Sequence, residues 1–394
     1  MAAISEHPSV KAAALGIGVE RANRERLIAG VHEPLVRGDG AQRRVSGTDS
    51  TPSGEYQEWG VSVERALRLP GKAALDASLG DQSVSVAELA MGDALHEAGR
   101  ALLRSWIGWL RESEQYALWR NQLEVLREQE RITERRLQAG DASRLDVELI
   151  SAAVAQAEAS AAQAASGVEA AKAELREQFP SLALPERVAL LEPEPPDGTL
   201  EQWRERVMSE SHELMSARAR VERQRLLARR ADAERTPDPS VGLRLSSERS
   251  GAERIAGVFV SIPLAGDARV AGARAALAQI DVEEQRAEAV SRMVAAGAAS
   301  AYTRAVGSHR AWRAARDAAQ RLDRGAALTA RGYELGETPL TEVLVARRAA
   351  IGGGLAAASL LADAVEARYR LLLDAHMLWP LDAEEPHAAQ GPAR

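Results

Sequence analysis

The sequence lacks cysteine altogether and is poor in rings. Its 394 residues include no Cys, two Phe, five Tyr and seven Trp. Without Cys there is no disulfide, no thiolate metal site and no cysteine nucleophile, and no N-terminal Cys to carry lipid in the chain as it stands. Aromatics make up 4% against 45% hydrophobic residues. The apolar contacts therefore fall to Ala, Leu and Val, which suits close helix–helix packing better than a thick globular core. A basic excess is missing too: 50 Lys and Arg stand against 57 Asp and Glu, a net charge of −7. That leaves no electrostatic footprint for nucleic acid. Charges of both signs interleave in runs such as REQERITERR, the pattern of solvated helix faces. No stretch approaches 18 uninterrupted apolar residues, which argues against a helix spanning a bilayer. The opening MAAISEHPSVKAAALGIGVERANRERL lacks the basic start, apolar run and small-residue cleavage site of a secretory signal.

What the sequence does contain is a repeat. LQAGDASRLDV from Leu137 matches YELGETPLTEV from Tyr333 without gaps, pairing Gly140 with Gly336, Asp141 with Glu337, Asp146 with Glu342 and Val147 with Val343. Upstream, His7 pairs with His212 and Glu33-Pro34 with Asp238-Pro239, and WGVSV at Trp59 pairs with AGVFV at Ala256. Three matches in one order at nearly constant spacing are the signature of a duplication. Residues 1–179 form the first repeat and 198–380 the second. A Pro-rich linker, 180–197, separates them, and 381–394 reads as a flexible tail.

Each repeat predicts the same succession of elements. A helical stretch, about 2–30 or 198–235, is expected to stop at Glu-Pro or Asp-Pro, because Pro disfavours helical geometry in the residue before it. Strands are expected at about 31–45 and 55–69, and again at about 237–249 and 254–264. Trp59, Val61, Val63, Leu67 and Leu69 alternate with Gly60, Ser62, Glu64 and Ala66, and Val241, Leu243 and Leu245 alternate with Gly242, Arg244 and Ser246. The run 31–45 is the weakest of the four and rests on its counterpart. Long proline-free helices follow at about 73–139 and 267–331, each reaching roughly 100 Å at 1.5 Å per residue. Gly80, Gly92, Gly99 and Gly108 weaken the case that the first is unbroken. Both helices end at Gly-containing turns, about 139–144 and 335–340, after which helix resumes.

Four alternating strands with open edges do not stand alone in lipid, where unpaired edge groups are costly; closure into a barrel requires more than one chain. Counting strands leaves two chains or three equally open. The motifs PDPSVGLRLSSER with GVFVSIPL, EWGVSVERALRLPGKAALD, and the turns AGDASRLDV and LGETPLTEVLVARR together resemble the TolC-type outer-membrane efflux proteins over nearly the whole chain. The segment ERALRLPGK further resembles their heavy-metal, CzcC-like branch. The resemblance implies a mainly α fold with a small β part: a homotrimer with a twelve-stranded barrel in outer-membrane lipid, continued by a long α-helical barrel across the periplasm of a Gram-negative cell. It implies an exit duct that works with a periplasmic membrane-fusion adaptor and an inner-membrane RND-type pump, here for heavy-metal cations; the residues themselves, with scattered histidines and no Ser/His/Asp or paired-carboxylate arrangement, lead us to expect no cofactor, no bound metal and no catalysis. By the same resemblance Gly140, Asp141, Gly336 and Glu337 sit at the adaptor-docking tip, and Asp146, Tyr333 and Glu342 at the entrance gate. Thr338 departs from the family by standing where an Arg of the closing network can occur, and Val345 by standing at the place of a second acidic ring. Glu342, repeated by symmetry, would form one acidic ring favouring cations.

Plainer readings stand beside these. Asp141 and Glu337 suit helix caps or dipole partners as well as docking residues, and so do Asp146 and Glu342. Trp106, Trp109 and Trp119 read as packing residues, and Trp59 as a membrane-interface anchor or a barrel-end packing residue. His96-Glu97 lacks the second His of a zinc-protease helix. A soluble coiled-coil scaffold or adaptor explains the helices but not strand pairs recurring at one place in both repeats. A helical-bundle enzyme would need Glu-x-x-His pairs, and none is evident.

Overall fold

The computed structural model describes residues 2–47, 53–185 and 190–378. The centre of the first hairpin loop, part of the linker and the expected tail 381–394 lie outside the described residues. The elements run α1 (Ala2–Ser5), α2 (Pro8–Ala29), β1 (Leu35–Val45), β2 (Gly54–Ala66), α3 (Lys72–Ala139), α4 (Arg144–Gln178), α5 (Leu200–Glu210), α6 (His212–Ala233), β3 (Ser240–Glu248), β4 (Glu253–Ser261), α7 (Asp267–Glu334) and α8 (Leu340–Asp374). They come in matched pairs: α2 and α6 have 22 residues each, α3 and α7 have 68, α4 and α8 have 35. The chain divides into two compact units, one made of Ala13–Ala90 and Glu213–Val290, the other of the remaining described residues.

The first helical stretch of each repeat ends close to where the sequence places it, at Ala29 and Ala233, but is not continuous. It is broken, between α1 and α2 in one repeat and at Ser211 between α5 and α6 in the other. Pro8 opens α2, where its fixed φ and missing N–H suit the first helical position. The stretch ends before the prolines. The Gly30 amide bonds back to Arg26 at 2.9 Å, and the Glu234 amide to Arg230 at 3.1 Å. Pro34 and Pro239 thus follow helix ends already made by these last-turn bonds. α3, by contrast, runs unbroken through all four of its early glycines, because Ala, Leu, Glu and Arg around them carry the helix.

The four strands form one antiparallel sheet in the order β1-β2-β3-β4. Its register places Val36 opposite Val63, Val63 opposite Leu243, Leu243 opposite Val258, Val61 opposite Leu245, and Leu245 opposite Ala256. These residues share one face, and Val36, Val61, Val63, Leu243, Leu245 and Val258 are all exposed on it. The other face is mostly polar. Arg37, Ser62 and Arg244 follow one another across three strands, and Arg37 pairs with Glu64 at 3.6 Å. Strand lengths of 9–13 residues fit those of tilted strands that cross a bilayer. Leu67 and Leu69 lie beyond the end of β2.

A charged knot fastens the sheet to its helices. Asp238 accepts bonds from the Leu69 amide at 2.9 Å, Lys72 Nζ at 2.9 Å and His32 Nε2 at 3.2 Å. Lys72, only 2% exposed, also donates to the Thr236 carbonyl at 2.8 Å. Burial alone would raise the Asp238 carboxyl, but the Leu69 amide, Lys72 and His32 outweigh it and hold the group down at about 2. Nearby, Arg230 bonds Asp76 at 2.5 Å, and Arg68 lies 3.4 Å from the same carboxylate.

The apolar core of the second unit is thin and helical. Ile107, Trp109, Leu110, Leu175, Phe179, Ala362 and Val365 form one cluster, with Leu182, Leu184 and Leu190 of the linker packed onto it. Trp106 and Trp109 meet edge to face at 5.3 Å, so both serve packing. By length and composition α8 is the one described helix apolar enough to cross a membrane; the lack of an uninterrupted apolar run therefore does not by itself exclude such a span. Its Asp363 bonds Arg111 of α3 at 2.6 Å, as expected of a helix paired with other helices.

Candidate functional site

The two Gly turns are built alike, atom for atom. Gly140 has φ +84° and Gly336 φ +78°, the left-handed conformation in which a Cβ is disfavoured. In the first turn the Gly140 amide bonds Leu137 O and the Asp141 amide bonds Arg136 O. In the second, Gly336 bonds Tyr333 O and Glu337 bonds Gly332 O. Both are Schellman closures, in which the last orphan carbonyls of a helix are satisfied by the two residues that follow it. Asp141 and Glu337 therefore contribute backbone amides to the turns, while their side chains are exposed.

After the turns the likeness ends. Ser143 caps α4 in a reciprocal box: its hydroxyl accepts from the Asp146 amide, and the Asp146 carboxylate accepts from the Ser143 amide at 2.9 Å and hydroxyl at 2.8 Å. Pro339 opens α8 without any side-chain cap. Glu342 holds the same helical position as Asp146 but is exposed. One acidic residue is thus tied to its own helix start, and the other is presented outward.

Tyr333 is 4% exposed and belongs to the core joining the two turns, with Leu126, Ile150, Val154, Ala157, Ala330, Leu340 and Val343. Its hydroxyl lies 3.4 Å from Thr133 Oγ1. Arg136 donates to the Tyr333 carbonyl at 2.6 Å and lays its guanidinium 4.5 Å from the ring centroid. Arg136 thereby locks the end of α3 to the end of α7. Sequence reasoning passed over it, although a basic residue in the last turn of a helix is a standing sign of carbonyl capping. Thr338 donates to Thr329 O at 3.0 Å, bracing the second turn from within, and Val345 is 70% exposed.

A second overlooked feature lies on α7. Arg310, Arg313, Arg321, Arg324 and Arg331 recur at helical spacing and are all exposed, opposite the buried face that carries Trp312, Ala326 and Ala330. The corresponding positions of α3 are Glu114, Ala117, Val125, Glu128 and Arg135, so the row belongs to one repeat alone. On the sheet, Trp59 is 55% exposed among the apolar residues of its face. Among the described residues no group of three or more His, Asp or Glu is placed to hold a metal ion.

Comparison with known proteins gives a family match and a fold. The family model for outer membrane efflux proteins matches residues 203–373. No curated protein matches the sequence. Among solved structures, a membrane protein from Pseudomonas aeruginosa superposes with a TM-score of 0.78 at 18% identity, over 97% of this chain and 91% of that one. The Campylobacter jejuni CmeC outer membrane channel gives 0.76 at 13% identity, over 95% and 84%. The Vibrio cholerae outer membrane protein VceC gives 0.72 at 16%, over 95% and 94%. The chain therefore has the fold of these outer-membrane proteins, and most of its second repeat matches the outer membrane efflux protein family.

Proposed function

We propose that the chain is the outer-membrane exit duct of a tripartite efflux pump. One observation carries the reading: a four-stranded sheet with an apolar face, a mostly polar face and two unpaired edges in β1 and β4. Apolar-out, polar-in alternation is what a barrel wall in lipid requires, and its edges must be joined. Three copies give the twelve-stranded barrel of a homotrimer. The equivalent turns at Gly140 and Gly336 then form six tip positions for a periplasmic adaptor, which hands over cargo from an inner-membrane RND-type pump. The family match of residues 203–373 supports this reading.

The absence of Cys makes the test direct. One cysteine on β1 (Asp39→Cys) is combined with one on the same face of β4 (Ile255→Cys, Gly257→Cys or Phe259→Cys), and the protein is exported and oxidised in cells. A disulfide-linked ladder ending at three chains in the outer-membrane fraction is expected. A monomer in the soluble fraction for every pair would refute the duct.

The narrower proposal is a heavy-metal cargo of the CzcC-like kind, supported by the resemblance of ERALRLPGK and by the outward Glu342. The arginine row of α7 favours the opposite charge. Fixed charges along a pore set which ions it favours, so the reversal potential of single channels in a KCl gradient separates the two. Cation preference abolished by Glu342→Gln supports a cationic cargo. Anion preference reduced by Arg321→Gln with Arg324→Gln supports an anionic one.

A further inference from the structure

The repeat gives each tip an equivalent, yet the bond that joins the two tips of one chain has none. At the offset that pairs Gly140 with Gly336, Arg136 pairs with Gly332 and Leu137 with Tyr333. Arg136 reaches out of the last turn of α3. One end of its guanidinium donates to the Tyr333 carbonyl of α7 at 2.6 Å, and the other to the Asp141 carbonyl of its own turn at 3.4 Å. Its central carbon stands 4.5 Å from the Tyr333 ring centroid. The Tyr333 carbonyl lies at the end of α7, where the helix dipole concentrates negative charge. A rigid planar fork can serve two carbonyls at once while stacking on a ring.

Gly332 offers nothing in return. A Cβ there would stand 3.0 Å from Thr338 Oγ1, and Thr338 is held by its bond to the Thr329 carbonyl. The second turn thus crowds a long side chain out of this place. The other basic residue nearby, Arg331, is bonded to Glu334 of its own helix. In a ring of three chains the six tips alternate, and each junction within a chain is followed by one between copies. The operation that carries the first tip onto the second sets Gly332 of one copy toward Leu137 of the next. We infer, on the threefold duct proposed above, that Arg136 is a positioning residue of the entrance: it joins the two tips of each chain into one moving part, so the entrance loosens at the three junctions between copies. The shared core of Ile150, Val154, Leu340 and Val343 keeps the joined tips in contact, and Arg136 fixes their register.

The test places spin labels on the full chain at Ala139→Cys and Leu335→Cys, equivalent exposed positions just before each glycine. Doubly labelled chains diluted into unlabelled ones report the distance within a chain, and trimers labelled at Leu335→Cys alone report distances between copies, both by pulsed electron spin resonance. The distribution within a chain should be the narrower. Arg136→Ala should raise the fraction of chains with parted tips roughly tenfold, as the loss of one charge-assisted hydrogen bond brings. Arg136→Lys should restore part of the narrow distribution, since it returns a donor without the planar fork. Equal widths within a chain and between copies in the parent overturn the inference, and so does an unchanged distribution in Arg136→Ala. Where Arg136→Ala does not assemble, the widths in the parent decide. The distance within a chain is readable in monomer and trimer alike, and the oligomer band on unboiled gels reports the duct separately, so failure of the clamp and failure of the duct are told apart.

Discussion

At the scale of single residues, Asp238 is the side chain whose loss should be felt most. It fastens β3 to Leu69, Lys72 and His32, and the buried Lys72 ammonium depends on it. Its carboxyl is held at about 2, below the unfolded value near 4. The stabilisation is therefore complete above the unfolded value and is lost as pH falls from about 5 towards 2, amounting to on the order of 2 kcal/mol. Asp238→Asn should remove that acid-dependent component while leaving Lys72 without its carboxylate partner. Chemical denaturation at pH 7 and pH 3 measures it: the parent loses stability between the two and the variant loses less. An equal loss in both would show that Asp238 does not hold the knot. The Asp-Pro step was legible as a boundary, but the knot was not, because Lys72 and His32 reach Asp238 from segments far away in sequence.

At the scale of elements, the tip turns give the sharpest expectation. Nothing lies within 4 Å of where a Cβ would stand on Gly140 or Gly336, so a side chain meets no obstacle and only the backbone conformation opposes it. Gly336→Ala should cost about 1–2 kcal/mol, and Gly336→Asn distinctly less, because Asn tolerates the left-handed region. Denaturation midpoints of the two variants at equal m-value decide the matter, and identical losses would mean that the turn relaxes out of the Schellman geometry. These turns could be read in the sequence because glycine leaves a local signature. The later strands could be read as well, since β2 and β3 alternate cleanly. β1 was barely legible: LVRGDGAQRRV is exposed along nearly all its length, and its strand conformation comes from eleven register pairs with β2 rather than from its own pattern. The ring contacts of His376 with His96 and His212 left no trace, the three lying in separate stretches of sequence.

At the scale of the whole molecule, the two faces of the sheet should differ in their tolerance of charge. In a barrel wall, Arg facing lipid at the midplane costs about 2–4 kcal/mol and far less on the inner face. Leu243→Arg, on the apolar face, should therefore sharply reduce assembly into phospholipid vesicles. Ser62→Arg, on the polar face, should leave it nearly intact. Assembly is read as the heat-sensitive oligomer band on unboiled gels. Equal loss from both would remove the assignment of the faces, and with it the main support for a membrane-inserted wall.

The equal lengths of the paired helices carry a constraint on how such a chain can change. With 68 residues in both α3 and α7, and 35 in both α4 and α8, the two turns meet in one shared core that Tyr333 and Ile150 enter from different hairpins. Removing two turns of helix from α3 and α4 alone would draw one tip back by about 10 Å and strand the other without its partner. Arg136 would no longer reach Tyr333. Such a chain can shorten or lengthen only in both repeats together, so the span it bridges is a quantity inherited in duplicate and altered in step.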